Sequence, residues 1–239
     1  DRVAQDMSKQ VPARVILSFG PSAAFIALAL MPLVLSDWIV FLTALALAKG
    51  SVVLGVVLLL RGGLISFGQA LYFAIGAYTV GFLSNRFGIG EALVALPLAT
   101  AISALVAALL GTLLTRFRGI YFAMLSLALS MILYTVLIKF YEFSGGTDGL
   151  SVRGFTLAGV APTRPGLVQY YLVLAATTDV VYVGAKFLDS PLGYLMQAVR
   201  YNEIRIEYLG VSASHAIYAS YVLAGAVGGL GGALVAFLV

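Results

Sequence analysis

The chain has no cysteine, a single histidine, a single tryptophan and little charge: of 239 residues, 10% are Asp, Glu, Lys or Arg, while 62% are apolar. Without cysteine there are no disulfides, no thiol nucleophile and no Cys-ligated metal. A lone His215 removes the histidine clusters that hold most other metals. The scarcity of charge argues against a water-soluble domain, where about 25% of residues are charged.

What is present instead is a series of long apolar runs. About 20 helical residues cross a hydrocarbon layer of roughly 30 Å. Runs of that length at Val15–Leu35, Trp38–Leu60, Leu64–Leu83, Ala92–Leu114, Ile120–Ile138, Leu167–Phe187 and Ala216–Val239 predict an all-α, polytopic transmembrane helical bundle of about seven helices, with residues 1–239 as one domain. Val15–Leu35 exceeds the roughly 7–15 apolar residues of a signal peptide and lacks a small-x-small cleavage site, so it reads as a retained span. The third run follows Gly62 and Gly63 and contains Gly68 and Gly76, a composition that allows a broken or re-entrant helix where protein or water surrounds it. The last run reaches Val239, and further helices are expected to follow it.

The net charge of +4 does not point to nucleic acid, because the basic residues lie between the apolar runs. With the N-terminus placed in the cytoplasm, nine of the fourteen (Arg2, Lys9, Arg14, Arg61, Arg116, Arg118, Lys186, Arg200 and Arg205) fall on the inner side and four (Arg86, Lys139, Arg153 and Arg164) on the outer. That bias is the one cytoplasmic loops carry. It leaves an external loop at 140–166, with a Gly-rich turn around Asp148, and a cytoplasmic segment at 188–215. Asp148 suits either contact with an external protein or the capping of a short helix.

In the cytoplasmic segment, Ser190–Pro191 predicts an N-cap followed by proline at the first helical position. Leu192, Leu195, Met196 and Val199 recur at helical spacing, with Gln197 and Arg200 on the other side, so the helix is amphipathic and too short to span. Gly210 is a candidate stop for the segment. Such a helix either lies in the lipid interface or is presented to a soluble partner. Glu203 and Glu207 suit anionic headgroups poorly, which favours the partner.

Four stretches resemble one family. They are Ser190–Leu234 (SPLGYLMQAVRYNEIRIEYLGVSASHAIYASYVLAGAVGGLGGAL), Gly62–Leu83 (GGLISFGQALYFAIGAYTVGFL), Arg116–Leu133 (RFRGIYFAMLSLALSMIL) and Ser144–Leu150 (SGGTDGL). Taken in their order along the chain, and covering somewhat over a third of it, they are similar to LivM-type permease subunits of branched-chain amino acid ABC importers. The resemblance implies a non-catalytic subunit of a bacterial inner membrane. It would pair with a homologous LivH-like permease, sit on two ATP-binding cassette ATPases and receive solute from a periplasmic binding protein. ATP and Mg would belong to the partners, with no cofactor in this chain. It also implies that Leu192, Gly193, Leu195, Met196, Val199, Arg200 and Glu203 contact the ATPase. The solute would be a branched-chain or other amino acid, with urea, amides and aromatic acids as alternatives. A proton-coupled secondary transporter is the competing class. Departures from the family are Gln69, where His is common, and charges at Lys49 and Asp179 within spans.

Lys49 is twelfth of the 23 residues of Trp38–Leu60, and Asp179 is midway along Leu167–Phe187. A charge at such depth costs roughly 2.5–3.5 kcal/mol on insertion scales. Either the two pair across the bundle, or Lys49 faces the translocation path and a solute carboxylate while Asp179 meets water. Ser66, Gln69 and Tyr72 are spaced by three, Tyr72 and Thr79 by seven, and Tyr78 is adjacent. These polar groups fit a pore-lining stripe and helix–helix hydrogen bonding equally well. Gly225, Gly228, Gly229, Gly231 and Gly232 follow an apolar helix rather than a strand and lack the Lys-Ser/Thr of a phosphate-binding loop, so they read as close helix packing.

Overall fold

The computed structural model describes residues 25–33, 35–88, 90–146, 149–150, 152, 156, 164–208, 210 and 212–239. Most of the expected span Val15–Leu35 therefore lies outside the described residues. Its end is helical over 25–30 and continues as a short 3-10 turn, Met31–Leu33.

The long helices are α1 (Asp37–Arg61), α2 (Gln69–Phe87), α3 (Ala92–Leu114), α4 (Gly119–Lys139), α6 (Pro165–Leu188) and α9 (Ala213–Leu238). Shorter ones are α5 (Tyr141–Ser144), α7 (Pro191–Tyr201) and α8 (Glu203–Tyr208). All the long helices except α2 are long and apolar enough to cross a membrane. No strand occurs among the described residues beyond one isolated bridge, Glu91 to Thr156.

The expected third span is corrected in its start. Leu64 to Phe67 are not helical, and α2 begins only at Gln69. Gly62 and Gly63 end α1, with their amides bonded back to Leu59 and Leu60 and with Gly63 at φ 74°. In the non-helical stretch, hydroxyls take up the backbone groups of Phe67 and the amide of Gly68, as irregular chain at membrane depth requires. Ser126 Oγ accepts from Phe67 N at 3.1 Å, Ser130 Oγ donates to Phe67 O at 3.3 Å, and Ser66 Oγ accepts from Gly68 N at 3.2 Å. Serines from α4 thus supply what a continuous helix would have supplied itself.

Helix α9 is the axis of the bundle, with α1, α2 and α3 packed around it. Its glycines let backbones touch. A methyl group added at Gly76 would run into the carbonyl of Gly229, and one at Gly232 into that of Phe73. One apolar core gathers Tyr72, Leu114, Phe122, Ile217 and Tyr221. Helix α6 lies against α1, sealed by Val40, Ala44, Tyr170 and Leu174 and by a 3.3 Å bond between the Ser51 and Thr177 hydroxyls. Helix α4 is peripheral: only Phe122, Ala123 and Ser126 are buried, all near its start.

The ends of α1, α3 and α6 meet the starts of α4 and α9 at one end of the bundle, the base, where α7 and α8 also lie. Contacts of Gly62 with Met196, of Gly63 with Arg200 and of Arg118 with both Glu203 and Ser214 define it. At the opposite end the Gln169 amide donates to the Phe237 carbonyl at 2.8 Å.

Candidate functional site

The base helix α7 starts where its cap signal places it, with Ser190 Oγ accepting from the Gly193 amide at 3.3 Å. Its inward stripe is Gly193, Met196 and Val199. Gly193 sits so close to the carbonyls of Phe187 and Leu188 that a side chain there would collide with them. Met196, 1% exposed, lies under the turn at Gly62, and Arg200 runs its methylenes past Gly63. Of the seven residues assigned to ATPase contact, Gly193, Met196 and Val199 are therefore covered by this chain itself. Leu195 is half-buried, while Leu192 and Arg200 are exposed.

The outward side carries residues that apolar periodicity does not single out. Tyr194, Tyr201 and Tyr208 are 59%, 89% and 87% exposed. Tyr194 and Tyr201, seven residues or two helical turns apart within α7, carry that signal, and the extended Asn202 puts Tyr208 on the next helix. Glu203 turns the other way: at the first residue of α8 it forms an ion pair with Arg118.

Lys49 and Asp179 are both exposed, on α1 and α6, and form no ion pair with each other. The reason is rotational. Ser51 and Leu47 of α1 both meet Thr177 of α6. Lys49 lies two residues from each, and Asp179 two residues from Thr177, so each points about 200° away from the seam. Of the two alternatives, pairing across the bundle is not found in this arrangement, and each charge faces a side this chain leaves open.

The polar stripe of α2 is packed rather than open. Ser66 belongs to the non-helical stretch, and Gln69, Tyr72 and Thr79 are buried. Gln69 lies between Gly55 of α1 and Gly228 of α9, and its amide atoms have no hydrogen-bond partner. The Tyr72 and Tyr221 hydroxyls share a 2.7 Å hydrogen bond, with their rings edge to face. Tyr78 lines a cavity of about 440 Å³ beside Leu150, Val152 and Val235.

A larger cavity, about 630 Å³, opens at the end away from the base, between α1, α6 and the end of α9. Asp37, Arg164 and Gln169 share its lining with Val40, Phe41 and Leu238. Both signs of charge face one apolar-walled space. No group of three or more His, Cys, Asp or Glu side chains suited to a metal occurs among the described residues.

The model of the family described as branched-chain amino acid transport system / permease component matches residues 34–239. Two curated relatives, from Salmonella typhimurium and Escherichia coli, are each described as a high-affinity branched-chain amino acid transport system permease protein, LivM. Each is 30% identical to this chain over 197 residues, covering 73% of this chain and 46% of the relative. The chain thus spans about half the length of these relatives. No solved structure matches it.

Proposed function

From the chain's membership of the family of branched-chain amino acid transport permease components, as a multi-pass membrane protein, we propose that it forms half of the solute path of an ATP-driven importer. The observation that carries this reading is α7, an amphipathic helix too short to span, fixed to the base by Met196 and Val199 and leaving Leu192, Tyr194 and Tyr201 uncovered. A secondary transporter has no use for such a face. An ATPase bound there would push on a helix anchored to the bundle, and the free energy of ATP would become displacement of spans. Binding and hydrolysis of ATP and Mg belong to that partner.

In this reading the base faces the cytoplasm of a bacterial inner membrane and the N-terminus lies inside. Arg61, Arg116, Arg118, Lys186 and Arg200 gather at or near the base, which accords with the positive-inside bias. A LivH-like permease covers the open sides of α1 and α6, and a periplasmic binding protein delivers solute at the far end. Lys49, uncovered and midway along α1, faces the water-lined path, and Asp179 faces the junction with the second permease.

The solute we assign is an aliphatic amino acid. The cavity of Asp37 and Arg164 supports this, since it offers an anion for an ammonium group, a cation for a carboxylate and apolar walls for a branched side chain. Urea and amides need neither charge. The test is uptake of labelled L-leucine by proteoliposomes holding the complex purified through a tag on this chain. Uptake should require internal ATP, persist when the proton gradient is collapsed, and be competed by L-valine and not by urea, acetamide or benzoate. Uptake driven by a proton gradient without ATP would rule the importer out, and competition by urea would rule the amino acid out.

A further inference from the structure

The turn between α3 and α4 and the first residue of α8 lie 85 positions apart in sequence. One guanidinium joins them. Arg118 Nε donates to both Glu203 carboxylate oxygens, at 3.0 and 3.1 Å, and Nη2 donates to Oε1 at 2.8 Å. Nη1 donates to the carbonyls of Thr115 and Phe117, and Nη2 lies 3.4 Å from Ser214 Oγ. The end of α3, the start of α4, the head of α8 and the start of α9 are thus tied at a single side chain. Both partners are about two-thirds buried, with exposures of 32% and 31%, which shields the pair more than an exposed one and keeps its forked geometry.

We propose that Arg118 and Glu203 are the link through which displacement of α7 and α8 reaches α4. They are positioning residues for transport, and the proposal rests on the importer reading above. The base segment packs on the ends of α1, α6 and α9, and two of its contacts differ in what they reach. Met196 and Val199 press on the end of α1, and α1 is fixed along its length to α9 through Ala48, Val52 and Gly55. Glu203 holds Arg118, the residue that precedes α4, and α4 shares with α6 the lowest burial of the spans. The fully buried residues of α4 all lie within its first turns, so that end is a pivot, while further along it is held more loosely, by Leu129 and Leu133 packed half-buried against the core and by Ser130 Oγ bonded to Phe67 O. A force on Glu203 is delivered at that pivot. The apolar contact to α1 meets a helix locked in the core, whereas the ionic contact meets a helix whose fully buried residues all lie at its start.

The experiment uses the complex purified from native membranes through a tag on this chain. Glu203→Gln, Arg118→Gln and the reversed pair Arg118→Glu with Glu203→Arg are compared with wild type. Read-outs are co-purified ATPase, ATP hydrolysis and L-leucine uptake per ATP in proteoliposomes. Each single variant should assemble and hydrolyse ATP, with uptake per ATP lower by about tenfold, a loss of the size that coupling-network changes produce. The reversed pair should recover most of it. Spin labels at Leu109 on α3 and Ile132 on α4, both exposed, should show a nucleotide-dependent distance change in wild type that Glu203→Gln abolishes. A role confined to folding would lower assembly and leave uptake per ATP unchanged in what assembles. Single variants with wild-type uptake per ATP, a reversed pair no better than the singles, or an unchanged distance response in Glu203→Gln would each overturn the link alone. A wild-type chain that carries no ATPase through purification would overturn the importer reading, and the link would fall with it.

Discussion

At Gly76 the space for a side chain is already filled by the backbone of α9. Glycine is a poor helix former, about 1 kcal/mol worse than alanine within a helix, and helix–helix approach in lipid, where no hydrophobic driving force favours association, accounts for its use here. Gly76→Ala should therefore destabilise the bundle by about 1–3 kcal/mol through overpacking. Gly50→Ala, at a position where an added methyl group meets nothing, should be neutral or stabilising by up to about 1 kcal/mol. Thermal unfolding midpoints of the two variants in detergent decide it, and equal midpoints would refute the packing account. The glycine cluster of α9 was legible in the sequence as packing. Its partners were not, because spacing names a face of one helix and says nothing of what lies against it.

Among the elements, α7 separates what sequence periodicity reveals from what it hides. Ser190 and Pro191 mark its start, and the apolar spacing shows one greasy side, since both depend on residues close in the chain. Whether that side meets a partner or the helix's own bundle depends on the loop after α6 and on the turn at Gly62, which periodicity does not describe. Met196→Asp should accordingly lose folded protein, because a carboxylate 1% exposed and unpaired costs several kcal/mol. Tyr201→Asp should leave the fold intact and abolish ATPase co-purification. Size-exclusion profiles and stoichiometry on a gel distinguish these outcomes, and a well-folded Met196→Asp would show the helix to be detached. The break before α2 was legible from its glycines as a possibility of interruption. Its exact start at Gln69 was not, because Ser126 and Ser130, which stabilise the non-helical stretch, belong to another span.

For the whole molecule, Lys49 and Asp179 mark sides of the bundle that lipid does not fit. Hydropathy alone located both charges in spans. Their rotation away from each other depends on the register of α1 against α6, which only the assembled helices define. Because the chain has no cysteine, Lys49→Cys provides a single thiol. In the assembled complex it should react with a water-soluble, membrane-impermeant maleimide, while Leu105→Cys, 61% exposed on an apolar face of α3, should not. Equal protection of both thiols would remove Lys49 from the path.

The hydroxyls of Ser126 and Ser130 hold up the amide and carbonyl of Phe67. A swing of α4 far enough to part them would leave that peptide group without partners, at a cost of several kcal/mol wherever water does not reach it. Its stroke is thus self-limiting: α4 can rock only as far as those two serines can stretch, or as far as water follows them in.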